Sequence, residues 1–180
     1  MKLAAINAEW TGGVDRLARA IQESDRTPYG PSSINHALLR FRFEDGLELV
    51  SQSRFKRGVH LQDARILDRA KAEGRVAVHI QQEIFPLSAD ERERIWIEAT
   101  GHDGLPYDYW QIVGYMAWMR LRPYRPYPLL QSRRDWMTCN EHVQQSLSVA
   151  VPACAGQAVM TPTRMCWVLT GKWPVREGGM

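Results

Sequence analysis

Two periods of apolar residues alternate along this chain, and the switches between them divide it into elements. Lys2 to Glu9 reads as a first strand. Gly12-Gly13 then opens a helix whose Val14, Leu17, Ala18 and Ile21 share one face. Pro28-Tyr29-Gly30-Pro31 closes that unit as a turn. Ser33 to Phe43 predicts a strand with His36 near its start, Asp45-Gly46 a hairpin turn, and Leu47 to Ser53 the partner strand. Paired strands bring side chains face to face, so His36 is expected to meet a polar residue between Ser51 and Ser53.

Beyond Gly58-Val59 a short helix is expected from Leu61 to Ala72, closed by Gly74. Val76, Val78 and Ile80 alternate, so Arg75 to Gln81 reads as a strand. Ser88-x-x-Glu91 fits a capping box and predicts a helix from Ala89 to about Ala99. Tyr107 to Leu121, with Ile112, Val113, Met116, Trp118 and Met119, reads as a largely buried helix. The prolines of Arg122 to Pro128 force an extended or looped segment. Thr138-x-x-Glu141 is another capping box, opening a helix that runs to about Val149. Thr161-Pro162 has the form of a helix start, with a short last helix over Arg164 to Leu169 and a loose tail from Arg176 to Met180. No regular strand–helix–strand rhythm appears. The pattern predicts an α+β fold with an antiparallel sheet packed against helices, in a single domain over 1–180.

Composition narrows the function classes. A hydrophobic content of 44% and a charged content of 24% are those of an ordinary globular chain. The net charge of +3 is too mild to imply nucleic-acid binding. The strip Arg120 to Arg134 has arginines interleaved with Tyr124 and Tyr127, and reads first as a proline-stiffened surface loop and second as a nucleic-acid or anionic-substrate strip, which keeps a nucleic-acid-associated protein as a further alternative. The amino terminus starts like a signal peptide, but Asn7, Glu9 and Trp10 interrupt it, and no run is long enough to span a bilayer. The three cysteines, Cys139, Cys154 and Cys166, form neither a disulfide framework nor a CxxC pair, so a reducing, cytoplasmic setting is expected. No histidine spacing suggests a metal site, and no motif calls for a cofactor.

The candidate chemistry centres on Cys139, at the first position of the Thr138-capped helix. Unpaired amides and the helix dipole there lower a thiol's pKa and can hold an oxyanion. Cys154 and Cys166 read as small buried hydrophobes. Among five histidines, His36 stands in an apolar strand, where an imidazole needs a partner or a purpose. His60 and His102 read as solvated loop residues, and His79 as facing outward from its strand. His142, three residues after Cys139, is the rival base.

The order of these pieces resembles the circularly permuted branch of the NlpC-type papain-like superfamily, which includes YiiX/YebB-like cysteine peptidases and lecithin:retinol acyltransferase-like enzymes. Ser33-Ile34-Asn35-His36 is similar to the family's Ser-x-x-His strand, and Gly46 to Ser53 to the next strand, which often ends in Glu-Ala. Pro106-Tyr107-Asp108 is similar to its Pro-Tyr-Asp element, Thr138-Cys139-Asn140-Glu141-His142-Val143 to its cysteine motif, and Thr161-Pro162 to its late Thr/Ser-Pro. The chain departs from the family in carrying Gln52 where a carboxylate is usual, and Asn140 is inserted relative to the acyltransferase form. The resemblance implies a papain-like fold and a cysteine hydrolase acting on peptide or cell-wall-type amides. Cys139 would be the nucleophile, His36 the base, Gln52 its orienting group and Tyr107 a wall of the substrate cleft. A binding module with little turnover, kept alive by the neutral Gln52, and a lipid or thioester acyl-transfer enzyme are the alternatives.

Overall fold

The computed structural model describes residues 2–121, 135–156 and 159–175. The Arg122–Pro128 segment, most of the Arg120–Arg134 strip and the Arg176–Met180 tail lie outside the described residues. In chain order the elements are β1 (Leu3–Gly13), α1 (Arg16–Ser24), β2 (Arg26–Thr27), β3 (Gly30–Pro31), β4 (His36–Phe43), β5 (Glu48–Arg54) and β6 (Gly58–Asp63). There follow α2 (Ala64–Ala72), β7 (Val76–Glu83), α3 (Ala89–Gly101), α4 (Tyr109–Leu121), α5 (Cys139–Ser148), a 3-10 turn (Pro152–Cys154) and α6 (Pro162–Thr170). The main sheet runs β6-β5-β4-β1-β7, with every pairing antiparallel. The fold is α+β, a five-stranded antiparallel sheet packed against helices.

The strand period of two divides the sheet's side chains between its faces. Ile6, Ala8 and Trp10 of β1 and Leu39 and Phe41 of β4 pack against Ile95 of α3, Val143 of α5 and Met165 of α6. Trp96 meets Phe41 and Phe43 edge-on, with centroids at 4.9 and 5.3 Å. Burying each such ring contributes about 2–3 kcal/mol. The opposite face carries Leu38 and Val50 against Ala64 and Leu67 of α2. Beside them lies a charged cluster, in which Arg40 contacts Glu9, Glu48 and Asp68 at 2.5, 2.8 and 2.8 Å. Burial raises the Glu9 pKa, but the His79 hydrogen bond and Arg40 outweigh it and hold the carboxyl below its ordinary value. His79 is therefore tied to a buried carboxylate at 2.9 Å rather than facing solvent.

Several elements differ from the sequence reading. β1 runs on past Glu9 because β4 and β7 both pair with it as far as Thr11 and Gly13. α1 starts at Arg16, capped by Asp15, and Val14 and Leu17 stay about half exposed. β6 takes Gly58 to Asp63, so α2 begins only at Ala64. Gly58 makes this turn possible: its φ is +68°, and a Cβ there would lie 2.1 Å from the Leu105 carbonyl oxygen. α4 is half exposed rather than largely buried, with Trp110 at 76% and Val113 at 56% exposure. One side of it faces α1, and Trp110, Val113 and Leu121 are exposed.

Candidate active site

The cysteine helix starts as its local sequence requires. The Thr138 amide and hydroxyl donate to Glu141 Oε2 at 2.9 and 2.8 Å, and the Thr138 oxygen accepts from the Glu141 amide at 3.4 Å. Unlike an ordinary surface cap, this one is buried. Gln111 Nε2 donates to Glu141 Oε1 at 3.2 Å, and the Gln111 amide donates to Asp108 Oδ1 at 3.0 Å. The segment entering the helix is held on two sides. The Met137 amide donates to the Pro106 carbonyl at 2.9 Å, and Ser53 Oγ donates to the Met137 carbonyl at 2.7 Å. The Pro-Tyr-Asp element, β5 and the cysteine are thus locked together.

Cys139 is 3% exposed. Its thiol is not acidic, as a helix start alone would make it: burial pushes it up to about 11. The nearby amides of Ala37, Asn140 and Cys139 itself pull the other way, and desolvation outweighs them. The contact with Ala37 places the sulfur against the residue next to His36. Register pairs between β4 and β5 run from Arg42–Glu48 to Leu39–Ser51. Ala37 lies just beyond the last of these.

His36 Nε2 lies 2.9 Å from Gln52 Oε1. The amide oxygen can only accept, so Nε2 carries the hydrogen and Nδ1 the lone pair. Burial draws the His36 pKa down to about 4, against the Gln52 bond and with help from Arg54 and His60. By strand alternation His36 and Gln52 project on the face that holds Leu38 and Val50. Ser51 and Ser53 project toward α5. Among the described residues no hydrogen bond joins the Cys139 sulfur to the His36 ring.

The other histidines depart from their expected places. His142 is fully buried, with Nε2 2.8 Å from Ser51 Oγ and Nδ1 3.2 Å from His102 Nδ1. Both ring nitrogens are engaged, and burial together with His102, His36 and His60 draws its pKa down to about 3. The rival base is therefore part of a buried polar network. His102 closes α3 and contacts Glu98 at 3.3 Å, so it is not a solvated loop residue. His60 lies on β6 directly opposite Gln52. Its Nδ1 bonds the Gly58 carbonyl at 3.0 Å, which leaves Nε2 as an acceptor. The Nε2 atoms of His60 and Gln52 are both buried and unpartnered among the described residues. One is an acceptor and the other a donor on facing residues. The residue pattern of β6, which suits the start of a helix, carries no signal of this.

A cavity of about 310 Å³ opens in front of His36, walled by Tyr107, Tyr109, Phe55, Ile112 and Met116. Tyr107 packs against Tyr109 and Phe55 at centroid distances of 5.5 and 6.5 Å. Burial, then the neighbouring Cys139, raise the Tyr107 pKa well above that of a free phenol, so its hydroxyl remains a donor. His36 and Tyr107 line this cavity, and Cys139 does not. A larger hollow of about 650 Å³ between β7 and α6 holds none of Cys139, His36, Gln52 or Tyr107. Cys154 and Cys166 are buried, each pushed up to about 11 by burial. Among the described residues no group of three or more His, Cys, Asp or Glu could hold a metal ion, and no helix is long and apolar enough to cross a membrane. No family model, curated protein or solved structure matches this chain.

Proposed function

We propose that this chain is a cysteine hydrolase of the permuted papain-like type, acting on peptide or other amide bonds. The observation that supports it best is the His36–Gln52 bond of 2.9 Å, with the Cys139 thiol near the amide of Ala37, the next residue along. Gln52 fixes the tautomer, so His36 Nδ1 is the basic atom. In the resting chain the pair is neutral, with the thiol up at about 11 and the imidazole down at about 4. Proton transfer therefore accompanies attack, so that the imidazolium and the oxyanion form together. The sulfur bonds the carbonyl carbon while its proton passes to His36 Nδ1. The oxyanion meets the helix-start amides of Cys139 and Asn140 and the protonated Tyr107 hydroxyl. Collapse expels the amine, which takes the proton from His36. Water, deprotonated by the same ring, then attacks the thioester, releasing the acid and restoring the thiol. Transfer of the acyl group to an acceptor other than water would use the same residues.

A second reading, a binding module with little turnover, is favoured by the 3% exposure of Cys139 and its raised pKa. Iodoacetamide labelling at pH 7, mapped by mass spectrometry, separates the two. The hydrolase reading expects Cys139 to react at least about tenfold faster than Cys154 and Cys166, and His36→Ala to remove that advantage. Equal rates at all three cysteines, or an unchanged Cys139 rate in His36→Ala, leave the binding module.

A further inference from the structure

The cavity in front of His36 carries charge that the proposed reaction does not use. Arg54 follows Gln52 by two residues on β5, so the two share a strand face. Gln52 is 2% exposed and Arg54 is exposed, so the strand leaves the core between them, at the cavity wall. The wall mixes apolar and aromatic residues, among them Phe55, Tyr109, Ile112 and Met116, with polar ones, among them Asn35, Ser53 and Arg75.

Among the described residues several arginines meet no carboxylate, and of these Arg54 is the one in the cavity wall. Arg40, Arg42, Arg65 and Arg75 each contact a carboxylate, and Arg92 donates to the Leu3 and Leu87 carbonyls. Among the described residues no carboxylate and no hydrogen-bond acceptor meets the Arg54 guanidinium. Arg75 lines the same cavity, its guanidinium bonded to Glu73. The one carboxylate in the wall, Asp15, is engaged by the Ala18 amide at 2.8 Å as the cap of α1. Burial and the charges of Arg57 and Arg75 hold the Arg54 pKa below the ordinary arginine value. An arginine stays charged through such a shift.

We infer that this cavity takes acyl substrates bearing a carboxylate, which Arg54 grips beside the bond presented to His36. This rests on the hydrolase reading for the position of the scissile bond, but the carboxylate site stands on the cavity itself. A planar guanidinium matches a carboxylate with two parallel N–H···O bonds. A volume of about 310 Å³ suits a single acidic residue rather than a long chain.

The test uses the full chain with Cys139→Ala, so that binding is read without turnover. The probes are the methylamides of N-acetylglutamate and N-acetylglutamine, isosteres that differ by one charge, titrated by NMR. The glutamate derivative should bind at least about tenfold tighter. Arg54→Gln in the same background should bring the two within about twofold, while Arg57→Gln, outside the cavity wall, keeps the preference. Equal binding of the two probes, binding of neither, or displacement of the glutamate derivative by an equal concentration of inorganic phosphate overturns the assignment. Iodoacetamide labelling of Cys139 in the wild-type chain is read separately. A charge preference without labelling keeps the carboxylate site and ends the hydrolase reading, and labelling without a preference does the reverse.

Discussion

Two helices of this molecule begin with the same local device and end with different consequences. Ser88 and Glu91 cap α3 at the surface, and Thr138 and Glu141 cap α5 in the interior. In both, the carboxylate accepts from the cap amide and hydroxyl, at 2.8 and 2.8 Å for Ser88 and 2.9 and 2.8 Å for Thr138. The surface box only starts a helix. The buried one also receives Gln111 and holds a cysteine against the Ala37 amide of a neighbouring strand. A capping box is a local property of four residues. A site requires distant residues to arrive at the same place.

Replacing the sulfur is the largest perturbation that separates the two helix starts. Cys139→Ala should lower amide-substrate turnover by about a thousandfold or more with the far-ultraviolet circular dichroism spectrum unchanged. Retained turnover would reduce α5 to the status of α3. Next comes the base. His36→Ala should slow alkylation of Cys139 by about a hundredfold at pH 7, followed by mass spectrometry. In that variant the rate should climb only as pH approaches the thiol's own value of about 11.

The two capped helices meet where His102, at the end of α3, contacts His142 in α5. The folded chain keeps His36 and His142 neutral down to about 4 and about 3, whereas unfolded imidazoles protonate near 6.5. Between those values the unfolded state binds more protons. This stability is fully present above pH 6.5 and is lost as pH falls through 4 and then 3. The free energy of urea unfolding should fall as pH drops through that window, and His142→Gln should flatten the fall. The smallest contrast is between the caps themselves. Thr138→Ala should cost about 2 kcal/mol in urea unfolding and Ser88→Ala about 1 kcal/mol, because only the buried cap leaves polar groups without water. Equal costs would mean that burial adds nothing to the second box.

Part of this arrangement is legible in the residue pattern alone. Asp45-Gly46 between two strand patterns fixes a hairpin, and the hairpin brings Gln52 near His36 by register alone. Thr138-x-x-Glu141 places Cys139 at a helix start because capping is a local exchange of hydrogen bonds. Other features are hidden. Leu61 to Asp63 suit a helix by pattern, and they belong to β6 because pairing with β5 holds them extended. The run from Asn140 to Gln144 is mostly polar, yet it is buried, with its polar groups matched by Met160, Gln111 and Ser51. Arg54 carries no signal in the pattern, since an arginine at a strand end is ordinary until its lack of a carboxylate is seen in three dimensions.

By itself the sequence determined the elements whose hydrogen bonds close within a few residues: the Asp45-Gly46 hairpin, the Ser88, Thr138 and Thr161 caps, and the α+β alternation. Only the tertiary structure decided which groups lost their water. Packing of α5 under the sheet raised the Cys139 thiol rather than lowering it, tied His142 to Ser51 and His102, and left Arg54 facing a cavity without an anion. The reason is physical. A helix cap acts over one turn, whereas desolvation depends on every segment that folds over the group, however far away along the chain.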